Sequence, residues 1–285
     1  MKRLVNPALL LSLLGPLLTG CVGTTGGGLV DFDAYASGPA DASGAPGTMH
    51  AYTFVSPYSG YTITLSAATL QIGAVYLDAT PCTGSSDVPP CVDQNAATVA
   101  QVAGGVVDGG VQTSGLLLDV LSPDAQAFSS QGSGLLQQAL SAEVWLSSGA
   151  EVMAIDDLND TSPIAEVTGT ASKDGTAIAF TGTVTIGQNR LLPTSNPAEP
   201  GLNPICNQRI VRPICLPTSP AVEPAAGLSL HLQVDPRSWF DNLDFATLPA
   251  PLHAIPDASS DANGRDFLQG IETTSGVYSF TFEAP

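Results

Sequence analysis

"HAYTFVSPYSGYTITLSAATLQIGAVYL", residues 50–77, decides the fold class. It reads as three short strands, "HAYTFV", "YTITL" and "TLQIGAVYL", joined by the turn formers "SPYSG" and by "SAA". No Asp, Glu, Lys or Arg occurs between Asp41 and Asp78, and only 12% of the chain is charged. Long uncharged stretches rich in Thr, Ser, Gly, Val and Tyr suit exported β proteins better than helical ones.

The same signature recurs on both sides. Upstream, "LVDFDAY" alternates Val30, Phe32 and Ala34 against Asp31, Asp33 and Tyr35, as one strand would. Downstream strand candidates are "TVAQVA", "GLLLDVL", "SAEVWLSS", "AEVMAI", "LSLHLQV" and "GVYSFTFEA". "IAEVTGTA" and "TAIAFTGTVTI" flank Ser172-Lys173-Asp174-Gly175, where Asp-Gly supplies a tight reversing turn. Helix is confined to a turn or two at Leu135–Leu140 and Asp266–Thr273. About ten short strands broken by Gly, Pro, Asn and Asp predict an all-β fold, a β-sandwich with long disulfide-pinned loops. A single domain is expected over 29–285. Its one anomaly is a Pro-rich excursion at 191–226 that carries eight prolines, Cys206 and Cys215.

The N-terminus has its own logic. Lys2 and Arg3 precede a 15-residue, mostly apolar run, Leu4 to Leu18, broken by Pro7 and Pro16. That run is too short to span a bilayer comfortably, which takes about 20 residues, and has the layout of a secretory signal. Leu18-Thr19-Gly20-Cys21 resembles the lipobox of bacterial lipoproteins. The resemblance implies a signal peptide over 1–20, diacylglycerol on the Cys21 sulfur and acylation of its new amine. Two or three acyl chains hold a bilayer firmly where one does not. Val22, in place of an aspartate, implies the outer membrane, with the domain facing the periplasm or the cell surface. Residues 21–28 then form a lipidated, glycine-rich tether.

The net charge of −18 falls further once Lys2 and Arg3 leave with the signal. Such a balance opposes nucleic acid and anionic head groups. With Cys21 lipidated, Cys82, Cys91, Cys206 and Cys215 remain, an even count that favours disulfides in an oxidising compartment. The ring-closure argument favours the local pairs Cys82–Cys91 and Cys206–Cys215, each pinning one loop. A four-thiolate zinc site is the rival, but its cysteines usually stand two to four residues apart.

No local motif carries chemistry. Gly-x-Ser-x-Gly, His-Glu-x-x-His, a phosphate-binding glycine loop and Cys-x-x-Cys are all missing. Ser172-Lys173 lacks the wider spacing of Ser-x-x-Lys enzymes. The three histidines are His50, His231 and His253, and His231 falls on the polar face of "LSLHLQV". Asp156-Asp157, followed by Asn159 and Asp160, reads first as a turn. Calcium is a candidate ligand for "DASSDANGRDF", residues 257–267, through Asp257, Asp261, Asn263 and Asp266. Alternate oxygens before a glycine resemble the middle of a calcium loop, although the terminal bidentate Glu position is Gly270. Trp145 is expected as a surface aromatic, and Trp239-Phe240 as the plug at one end of the core.

The favoured expectation is a non-catalytic binding or structural module of the cell envelope, lipid-anchored, with an envelope protein as its candidate partner. One alternative is a periplasmic metal-binding lipoprotein for copper or calcium. In its rhythm of strands, "YTITLSAATLQIGAVYLDA", "LLLDVLSP" and "SAEVWLSSG" are similar to four-cysteine periplasmic proteins of the methanobactin-associated copper type. Their tryptophan- and methionine-rich copper segment is absent. The other alternative is a hydrolase with a dispersed active site.

Overall fold

A computed structural model describes residues 28–42, 51–82, 98–102, 115–146, 163–185, 210–256, 258 and 261–285. The fold is all-β. Among the described residues, fifteen strands form two sheets, of eleven and four strands, over one continuous hydrophobic core.

The opening stretch builds the spine of the larger sheet. β1 (Leu29–Phe32) and β2 (Ala34–Ser37) precede β3 (Tyr52–Val55), which folds back on the 17-residue β4 (Thr62–Asp78). "SPYSG" makes the turn between them. Ser56 N–H donates to the Tyr61 carbonyl, and Gly60 adopts φ +69°, a conformation that favours glycine. "SAA" does not turn. Leu65 stands opposite Gly169 and Ala67 opposite Thr168, so Ser66 is the extra residue of a bulge. The two expected strands are therefore one, bent instead of reversed.

Every other part of the large sheet hangs on β4. Along one edge lie β10 (Pro163–Lys173) and then β9 (Ser141–Leu146). Along the other lie β3, β6 (Leu116–Asp119) and β5 (Thr98–Val102). β8 (Gly132–Leu135) joins β5 to β1, which is one strand only to Phe32. At Asp33 the chain leaves the large sheet, and β2 enters the small one. There it lies beside β7 (Gln126–Ala127) and parallel to β13 (Ser229–Val234), whose far edge takes β15 (Tyr278–Glu283).

β10 and β11 (Thr176–Thr185) form the hairpin that Asp174-Gly175 predicts, with φ +51° and +78° at the two turn residues. β12 (Ile210–Cys215) pairs with β9, and β14 (Ala254–Ile255) with β11. The second half of the Pro-rich excursion thus enters the sheet, and Val222 adds a bridge to Ala139. That bridge also replaces the helical turn expected at Leu135–Leu140. The helix near the C-terminus runs Ala262–Ile271, starting earlier than expected because Asp261 caps it.

Two readings of side chains are corrected. Trp145 is buried, at 4% exposure, with its ring 6.0 Å from that of Tyr76. All six residues of β9 are buried, so strand alternation does not separate a wet face from a dry one there. The cysteine pairing is also non-local. Cys82 is bonded to Cys215, 133 residues away, not to Cys91. The sheet register explains it: Asp78 at the end of β4 and Cys215 at the end of β12 stand on either side of Ser141 in β9. Cys215 is therefore not the partner of Cys206. Cys21, Cys91, Cys206, "AEVMAI" and Asp156-Asp157 lie outside the described residues.

Candidate functional site

At the Val55–Thr62 end of the large sheet, three separate segments enclose an open cleft of about 520 Å3. The β3–β4 turn contributes Tyr58, Ser59 and Tyr61; β10 contributes Lys173; the segment after β13 contributes Asp241, Asn242, Leu243, Asp244 and Ala246. None of these stretches is a motif by itself.

The turn is tied to the opposite wall. Ser56 is wholly buried; its hydroxyl accepts from Ser59 N–H (3.3 Å) and donates to the Asp241 carbonyl (3.4 Å). Tyr61 forms part of the floor, 5.1 Å from the fully buried ring of Phe245. Lys173 crosses above it: Nζ is 5.3 Å from the Tyr61 centroid and donates to the Ser59 carbonyl at 2.8 Å. A cation over an aromatic face is attracted by the ring quadrupole, which fixes the ammonium at the cleft. Tyr58 is 77% exposed and presents its ring at the rim.

The far wall is built from two 3-10 turns. Asp235 caps the first, Pro236–Phe240, by accepting from Arg237 N–H, and holds the Arg237 guanidinium through the same carboxylate. Trp239 and Phe240 are fully buried, the core plug that the sequence predicts. Asp244 caps the second turn, Phe245–Thr247, by accepting from Ala246 N–H at 3.1 Å. The calcium candidates meet this wall. Asn263 is buried, its side-chain oxygen accepts from Asp244 N–H (2.9 Å), and its amide nitrogen donates to Thr247 Oγ1 (3.0 Å). Asp261 accepts from Asn263 N–H (2.8 Å) as the helix cap. Asp266 lies on the helix, and Asp257 is outside the described residues. The alternating oxygens here cap a helix and pin a loop. Among the described residues no three His, Cys, Asp or Glu side chains are grouped to hold a metal.

No family model matches the chain, and no curated protein or solved structure does. The cleft therefore has to be read from its own chemistry. Neither described histidine lines it. His231 is half-buried on the small sheet, stacked on Tyr35 at 5.3 Å with Nδ1 3.3 Å from a Glu283 oxygen. His253 sits at a positive φ with Nδ1 3.3 Å from the Leu248 carbonyl.

Asp241 is the unusual acid of the cleft. Burial holds its carboxyl above the ordinary carboxylate range; a hydrogen bond from Ser238 partly offsets this, and the nearby Asp235 charge adds to it. A carboxyl harder to ionise in the folded chain opposes folding at pH values above its titration, and the penalty disappears below the unfolded-state value. Asp241→Asn is accordingly expected to leave the melting temperature at neutral pH equal to or above that of the parent, with any advantage vanishing in acid. A fall of several degrees at neutral pH would mark Asp241 as a structural residue instead.

Proposed function

We propose that the protein is a lipid-anchored module of the cell envelope that binds, without transforming it, a polar ligand in the cleft of Tyr58, Tyr61, Lys173, Asp241 and Asp244. One observation carries this reading. Three loops converge on an open site that combines exposed aromatic surface, one fixed ammonium and two carboxylates. Binding sites typically set a few placed polar groups against aromatic walls, and loops held by a rigid scaffold are where they form. Anchoring rests on Leu18-Thr19-Gly20-Cys21, with the outer membrane as the destination.

The two halves of the proposal are tested together. Cys21→Ser is expected to leave an uncleaved precursor or to move the protein from the membrane to the soluble fraction. An unmodified mature N-terminus elsewhere would end the lipoprotein reading. The immobilised parent should retain material from solubilised envelope that Tyr58→Ala and Lys173→Ala do not retain. Equal retention by parent and variants would remove the cleft as the binding surface.

A further inference from the structure

We infer that the ligand of this cleft is a neutral oligosaccharide, an inference that rests on the binding role proposed above. The charges on the walls argue first. A strongly anionic ligand would meet Asp241 and Asp244, and a cationic one would meet Lys173 pinned at the Ser59 carbonyl. Each formal charge is thus opposed within the same site, and like-charge contact costs affinity. A ligand bearing many neutral hydroxyls is opposed by neither. Each hydroxyl both donates and accepts, so it can give a proton to a carboxylate or to the Asn242 carbonyl and take one from the ammonium. Hydrogen bonds to ionised partners are the stronger kind, so a few of them suffice in an open site.

The aromatic residues argue second. Tyr58, 77% exposed, offers a flat apolar face beside these polar groups, and a tyrosine ring orders only two torsions on contact. A pyranose ring has that same duality, with a face of C–H groups and an equatorial belt of hydroxyls. Tyr61 packs against Phe245 and lies beneath Lys173, so it lines the cleft while the exposed Tyr58 supplies the platform. The shape argues third. The cleft is open to solvent and bounded by turns, which suits a chain of sugar units crossing the surface better than a small molecule enclosed within it.

The test uses the full lipidated protein in a non-glycosidic detergent and calorimetric titration with neutral oligosaccharides of glucose, mannose, galactose and N-acetylglucosamine. Uronic-acid oligosaccharides and an envelope-protein fraction serve as the comparison. At least one neutral series should bind. Tyr58→Ala should weaken it about ten-fold, the scale of one lost aromatic platform, with the unliganded melting temperature unchanged. If only the acidic sugars or a protein bind, and Tyr58→Ala abolishes that binding, the sugar inference falls and the cleft stands as a binding site. If nothing binds in a Tyr58-dependent way, both fall.

Discussion

Cys215→Ser is expected to lower the unfolding free energy by up to about 5 kcal/mol, the chain-entropy figure for a ring of this length. The Cys82–Cys215 bond closes 133 residues, and its Cα atoms stand 5.4 Å apart, within the usual span for a disulfide. An eight-residue local ring would be worth roughly half as much. The bond also seals the end of a three-strand ladder: Ser141 Oγ of β9 donates to the Thr80 carbonyl beyond β4 at 2.8 Å, while β12 closes the other side. Cys82→Ser should match Cys215→Ser, and the double variant should be no worse than either. Urea unfolding gives the magnitude, and non-reducing peptide mapping gives the partner. A peptide joining Cys82 to Cys91, or midpoints that coincide for parent and variants, would contradict it.

Phe240→Ala should cost about 3–5 kcal/mol, the range for removing a fully buried aromatic ring. Phe240 is wholly buried, with the rings of Phe54, Phe180, Phe245 and Phe267 at 5.6–6.4 Å. These rings come from β3, β11, a 3-10 turn and the helix, so one cavity loosens four elements together. Against a total stability of about 5–15 kcal/mol, that loss brings the chain near unfolding. Phe240→Leu, which refills most of the space, should lose less. Chemical denaturation that ranks the two variants equal would show that the site collapses without a cavity.

What the sequence made legible follows from how local each signal is. Asp174-Gly175 dictates its turn through two backbone angles, and "SPYSG" does so through Gly60, so both hairpins were readable. Ser66 looks like part of a turn because its neighbours are small. Its role as a bulge is set by the register against Thr168 and Gly169, about a hundred residues away. Trp145 escapes the same kind of local reading, since alternation reports one wet face only where a strand has one. Loop closure favours the nearest cysteines, yet β9 brings Cys82 and Cys215 together regardless of distance along the chain. No local pattern marks the cleft, because Tyr58, Lys173 and Asp241 come together only in three dimensions. The available hint was two tyrosines in one turn, in "PYSGY".

The bent β4 has a further consequence, for the way the protein assembles. Its first half is zipped to β3 and β10 and its second half to β5 and β9, with a register shift at Gly73 between them. Opening either half strips partners from the same strand, which couples the two halves of the sheet. Most of these pairings also join residues far apart in sequence, such as Leu70 with Ala165. Such a topology forms slowly, because distant segments must meet before any ladder rewards them. Delayed closure would fit the export proposed above, in which the chain crosses a membrane extended before it folds.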